Sequence, residues 1–200
     1  RLPGSPACFT SPISFSTARK SCKSADAQPP EREPRFTCDG FVTNEPDVTL
    51  AVFMADCLPA LLHDPAAGVI GAVHCGWRGS VADILGAAVA QMCALGAHPV
   101  DIRAAIGPGI GACCFEVGPE VVAAAEALLH EPLGALVRPR ADGKALLDLK
   151  GVNALRLTQL GVPAEQIAVS DACTMCRPDV FWSHRATDGR RGVQAAVITL

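Results

Sequence analysis

Three short apolar runs follow one another between positions 49 and 73, and a chain of this size must bury all of them. Thr49–Met54 (T-L-A-V-F-M) is too short for a globular helix and carries the Val and Phe of a buried strand. Leu58–His63 continues as a second strand, and Asp64-Pro65 with Gly68 supplies a turn. Val69–Val73 returns as a third strand. The first run delivers Asp56 and Cys57 at its end, and the third delivers His74. A hairpin-like return between them brings Cys57 and His74 close together.

Gly76-Trp77-Arg78-Gly79-Ser80 then leads into a helix. Ser80 is a good N-cap, and Asp83 three residues later completes a pair resembling a capping box. Val81, Ile84, Leu85, Ala88, Met92 and Leu95 repeat at helical spacing, and Gly96 is a natural stop. A Gly-rich turn opening a helix offers unpaired N–H groups at the positive end of the dipole. Arg78 adds a bidentate donor matched to phosphate or carboxylate. Either Cys57 or His74 alone reads as core packing. Together, with Asp56, Arg78 and the glycines, they read as a candidate site: Cys57 and His74 as catalytic and metal-ligating residues, Arg78 as substrate-binding.

The motifs A-D-C-L-P, A-V-H-C-G-W-R-G, A-I-G-P-G-I-G-A-C-C-F-E-V-G and the closing F-W-S-H-R occur in that order. They strongly resemble the multicopper polyphenol oxidase (laccase-domain) family, whose members are regarded as zinc-dependent purine nucleoside phosphorylases. The resemblance covers about Cys38 to Leu200. It implies zinc rather than copper at Cys57 and His74, and phosphorolysis of adenosine, inosine or methylthioadenosine. It also implies hydrolytic deamination of adenosine at the same site, and F-W-S-H-R as a turn that supports it. The family carries a further N-terminal region with a Q-V-H-G-like motif whose His is the third zinc ligand. This sequence has no His before His63, so the N-terminal part reads as truncated or divergent. Thiolate is a good zinc ligand, and Cys38 is a conceivable substitute. Its position nevertheless matches the family's D-G-x-V-T turn (Cys38-Asp39-Gly40-Phe41-Val42-Thr43), a structural segment.

Residues 1–35 differ from the rest: Ser, Pro and basic residues dominate, and Ala27–Pro34 is a Pro-rich polar linker. Weak order is expected there, with one short strand near Ile13–Phe15. Two hundred residues, half of them apolar, suit one domain with a sizeable core. A net charge of −3 gives no support for a nucleic-acid or anionic-membrane partner. No apolar run reaches the length of a membrane span, and no secretory h-region opens the chain. The ten cysteines are scattered through a chain too large and too apolar to need staples, which favours free thiols in a reducing cytoplasm.

Downstream, Asp101–Ile106 reads as a buried strand and Gly107-Pro108-Gly109-Ile110-Gly111 as a tight loop, with glycine for close backbone approach or positive φ. Cys113–Val117 follows as an extended piece whose vicinal cysteines read as packing, with Glu116 either a polar site residue or a solvated carboxylate. Pro119 opens a helix to Leu129, residues 131–144 form a loop, and Asp148 caps a helix to Leu160. Ile167–Val169 and Val193–Thr199 are strands. Cys173 and Cys176 have a metal or redox spacing, but a structural zinc needs a second such pair, so they read as reduced core or loop cysteines.

The expected fold is a single α+β domain over residues 36–200, with mixed β-sheets and helices packed outside; the sheet order follows from the resemblance alone. The expected partners are a nucleoside and phosphate. Three other functions compete with the phosphorylase reading. A multicopper phenol oxidase needs many more histidines than the five present. A cysteine hydrolase would use Cys57 as nucleophile and His74 as base, and peptidoglycan-precursor editing is a related possibility. An inactive remnant of the fold is favoured by the missing N-terminal motif.

Overall fold

The computed structural model describes residues 15–17 and 38–200. The weakly ordered segment expected over 1–35 lies outside the described residues apart from strand β1, Phe15–Thr17, which overlaps the expected strand at Phe15. The chain continues through β2 (Gly40–Thr43), β3 (Thr49–Met54), β4 (Leu58–Asp64) and β5 (Val69–Cys75). Two helices follow, α1 (Trp77–Val81) and α2 (Ile84–Ala94), then β6 (Arg103–Ile106), β7 (Glu116–Val117) and α3 (Pro119–Leu129). The last part comprises β8 (Val137–Pro139), β9 (Ala145–Leu147), α4 (Leu149–Gln159), β10 (Ile167–Val169) and β11 (Gln194–Thr199).

A six-stranded sheet in the order β1-β2-β5-β4-β6-β10 forms the centre, with β11-β3 and β7-β9-β8 as two smaller sheets. The central sheet is mixed: β1–β2 and β6–β10 run parallel, while β2–β5, β5–β4 and β4–β6 run antiparallel. This is the expected α+β arrangement. The sequence of β5 explains its central place. Val69, Val73 and Cys75 join the main core with α2, while Ile70 and Ala72 join a second core with Leu50, Val52 and Met54 of β3. A strand covered on both faces reads as a continuous apolar run, which is what V-I-G-A-V is.

The helix expected to begin at Ser80 is two helices. α1 begins after Gly76, and Ser80 lies inside it, 2% exposed, accepting a hydrogen bond from Asn153 Nδ2 at 3.0 Å. Asp83 is the N-cap of α2: its φ is 63°, and its carboxylate accepts from the Gly86 N–H. Arg156 of α4 holds that carboxylate with two bonds, Nε to Oδ1 at 2.8 Å and Nη2 to Oδ2 at 2.6 Å. Tertiary pairing therefore fixes the break. Elsewhere the residues before β6 form a short 3₁₀ turn, Pro99–Asp101, and the expected loop over 131–144 contains β8.

Candidate functional site

Leu58 pairs with Cys75 and Pro59 with His74 in the β4–β5 ladder, so Cys57, one step before β4, faces the chain just after β5. The glycine at that point lets the two side chains converge. A methyl group on Gly76 would lie 3.3 Å from Cys57 Sγ and 3.5 Å from His74 Cε1. His74 is braced from behind: its N–H donates to the Asp39 carbonyl at 2.7 Å, and its Nδ1 lies 3.0 Å from Asp39 Oδ1. A carboxylate only accepts, so Nδ1 carries the proton and Nε2 is left as the donor atom for an electrophile. Asp39 belongs to the D-G-x-V-T stretch, which sequence reasoning treated as structural; the residue type was visible, its partner was not.

Burial pushes the Cys57 thiol up, and the negative charges of Asp56 and Asp39 push the same way, while Arg191 pulls it down. A thiol held protonated is a weak nucleophile, whereas a bound cation reverses that balance and favours thiolate. Asp56 has a φ of 84°, and its carboxylate anchors the loop that carries Cys57. It accepts from Thr174 Oγ1 at 2.6 Å and from the Arg185 N–H at 2.7 Å. F-W-S-H-R thus reaches the candidate site through the Arg185 backbone.

Arg78 stands two residues beyond Gly76, exposed, with its guanidinium 4.4 Å from the centroid of the Trp77 ring. The expected helix-dipole contribution is small, because α1 has only five residues. Glu116 is engaged elsewhere, in ion pairs with Lys144 at 2.7 Å and Arg140 at 3.2 Å. The Gly107–Gly111 loop uses its glycines for close approach: a Cβ on Gly109 would meet the Leu58 side chain and come within 2.9 Å of the Asp56 carbonyl.

A second group of donor side chains was not foreseen. Sγ atoms of Cys113, Cys114, Cys173 and Cys176 all lie within 4.8 Å of one another and can hold a metal ion. The pair missing from the C-x-x-C reading is the vicinal Cys113-Cys114. Cys173 is buried in the main core and Cys114 packs against it, as expected, while Cys113 and Cys176 are exposed, so core packing describes only two of the four. Among the described residues, Cys57, Cys75, Cys93, Cys113, Cys114, Cys173 and Cys176 are free thiols.

The family model described as multi-copper polyphenol oxidoreductase laccase matches residues 15–200. The chain belongs to this laccase family. It is 41% identical over 157 residues to a purine nucleoside phosphorylase of Bacillus subtilis, covering 77% of this chain and 55% of that protein. It is 42% identical over 147 residues to an adenosine deaminase from an unknown prokaryotic organism, covering 74% of this chain and 56% of that one. The crystal structure of the Bacillus licheniformis hypothetical protein YfiH superimposes with a TM-score of 0.79 at 36% identity, covering 82% of this chain and 61% of the other. The chain thus spans just over half the length of these curated relatives.

Among the described residues, no group of three or more converging metal-donor side chains contains a histidine. The group of that kind among the described residues is the four-cysteine cluster, and Cys57 and His74 both lie beside Gly76 outside it. Among the described residues, too, no helix is long and apolar enough to cross a membrane.

Proposed function

We propose that the chain carries part of a zinc-dependent purine nucleoside phosphorylase that also deaminates adenosine by hydrolysis, acting on small-molecule nucleosides and phosphate in the cytoplasm. The observation that carries this reading is the convergence of Cys57 and a carboxylate-braced His74 at Gly76. Thiolate and neutral imidazole are preferred zinc donors, and the Asp39 carboxylate on His74 Nδ1 is the kind of partner that orients a metal-binding imidazole. Relatives named as purine nucleoside phosphorylase and adenosine deaminase support the substrate class.

Cys57 Sγ and His74 Nε2 would hold the metal, and the described residues identify no third ligand. Zinc bound there supplies Lewis-acid polarisation of the substrate. The Arg78 fork binds a phosphate oxygen pair and places the anion for attack at the ribose carbon. The C–N glycosidic bond breaks, a C–O bond to phosphate forms, and the leaving base takes up a proton. Asp39 fixes the His74 ring and tautomer, and Asp56 fixes the loop that presents Cys57.

The test is phosphate-dependent release of free purine base from adenosine and inosine by zinc-loaded protein, beside Cys57→Ala. Release that needs phosphate and zinc and disappears in the variant supports the reading. No release from protein carrying its full zinc overturns it. Activity that resists chelation but is abolished by thiol alkylation would assign a cysteine hydrolase instead.

A further inference from the structure

We propose that Cys113, Cys114, Cys173 and Cys176 form a structural tetrathiolate site for one zinc ion, sharing no ligand with the Cys57–His74 pair. The geometry is that of a four-ligand shell and not of a disulfide. Cys176 Sγ lies 3.5 Å from Cys113 Sγ and 3.4 Å from Cys114 Sγ, so one sulfur faces two partners at once. All four sulfurs fall within 4.8 Å of one another. Tetrahedral zinc with Zn–S bonds of about 2.3 Å sets sulfurs about 3.8 Å apart, inside that spread.

The surroundings suit a metal thiolate. The Gly111 N–H points at Cys173 Sγ at 3.2 Å, the kind of outer-shell bond that orients a thiolate ligand. Lys150 lies in the same region: its ammonium donates to the Ser170 and Ala172 carbonyls at 2.8 and 2.7 Å. It thereby holds the loop that delivers Cys173. A cleft of about 320 Å³, lined in part by Ala112, Cys113, Leu136 and Arg138, gives access from solvent. Loading needs no redox step: thiol protons pass to water as Zn–S bonds form.

The site joins two loops that the fold already sets side by side. The loop after β6 brings Cys113 and Cys114, and the loop after the neighbouring parallel strand β10 brings Cys173 and Cys176. The same loops clasp Asp56. Ile110 N–H donates to the Asp56 carbonyl at 2.8 Å, and Thr174 holds its carboxylate. Zinc here staples the support on which Cys57 is mounted.

The experiment uses the full chain with Cys57→Ser and His74→Ala, so that the candidate active site contributes neither donor. The reduced protein is loaded with cobalt and then with zinc. The expected result is one equivalent of cobalt with intense thiolate charge-transfer and tetrahedral d–d bands, displaced by zinc. X-ray absorption of the zinc form should show a shell of sulfur alone, with four atoms at about 2.3 Å. Adding Cys176→Ser should abolish the cobalt bands; should that variant fail to fold, the sulfur shell decides alone. The proposal is overturned by absence of tetrahedral cobalt bands, by a mixed nitrogen–sulfur shell, or by a Cys113–Cys176 or Cys114–Cys176 disulfide in metal-supplied protein. Failure of the nucleoside assay leaves each of these readouts unchanged.

Discussion

Thr174 and Asp56 meet in a 2.6 Å hydrogen bond across 118 residues of chain. It ties the loop of the cysteine cluster to the residue just before Cys57. Thr174 is fully buried and Asp56 nearly so, so neither group can turn to water if the other is removed. Thr174→Val should cost about 1–3 kcal/mol in urea unfolding, because one carboxylate lone pair loses its donor while the Arg185 N–H remains. Thr174→Ser keeps the hydroxyl and should lose less. Equal stability of the Val variant and the parent would show that the bond carries no net energy.

Gly76→Ala should separate structure from function. The backbone at Gly76 has φ −68° and ψ 161°, which any residue adopts, so unfolding free energy should move by no more than about 0.5 kcal/mol. The added methyl group, however, sits 3.3 Å from Cys57 Sγ, which must give by a few tenths of an ångström, and in contact with His74 Cε1 at 3.5 Å. Zinc retention and base release should fall together while stability holds. A variant that binds and turns over like the parent would move the candidate site away from this corner.

Asp39→Asn tests the brace on His74. An amide can turn an N–H toward Nδ1 and invert the imidazole tautomer, taking Nε2 out of use as a donor. Zinc affinity at the Cys57–His74 pair should fall about 10–100-fold, read by competition with a chelator. An unchanged affinity would show that the Asp39 contact only positions β2 against β5.

Local pattern recovered much of this molecule. Strand β3 spans Thr49–Met54 as its composition required, β4 and β5 run one and two residues past their expected ends, and α3 covers Pro119–Leu129 behind its N1 proline. Asp148 caps α4 by accepting from the Gly151 N–H at 3.0 Å. What escaped was set by partners distant in sequence. The break between α1 and α2 depends on Arg156, and the second cysteine pair depends on β6 lying beside β10. Cys57 and His74 were legible as a pair because a short hairpin joins them. Asp56 was legible beside Cys57, but its partners Thr174 and Arg185 were not, and the Asp39 contact with His74 emerged only once β2 was placed against β5.

Asp83 and Arg156 give a stability prediction with an internal control. Asp83 combines a left-handed backbone, an N-cap bond to Gly86 and a bidentate ion pair. Asp83→Ala loses all three, with about 1 kcal/mol for the cap and about 1–2 kcal/mol for the backbone. Asp83→Asn tolerates the same φ and keeps a capping oxygen, so it should lose mainly the ion pair. Arg156→Lys gives up the fork and should resemble Asp83→Asn more than Asp83→Ala. A double-mutant cycle on urea unfolding measures the coupling, and independent effects of the two sites would contradict the geometry.

Asp64 should make part of the stability pH-dependent. Its side chain is fully buried at the end of β4 and accepts N–H bonds from Ala66 and Ala67 at 2.9 Å each and from His98 at 2.8 Å. Burial acts to raise its pKa, but the three donors outweigh that and hold the carboxyl below the ordinary aspartate value. With the folded pKa below the unfolded one, the unfolded state binds the proton more readily. The contribution is therefore complete above the unfolded pKa and is lost as pH falls through the folded value. Asp64→Asn turns an N–H toward a backbone donor and should cost about 1–3 kcal/mol at neutral pH. The gap between parent and variant should narrow in acid, because only the parent loses this contribution there. Denaturant unfolding of both proteins at neutral pH and at successively lower pH reads that gap directly, and a gap that stays constant would show that the Asp64 carboxylate is not what the turn depends on.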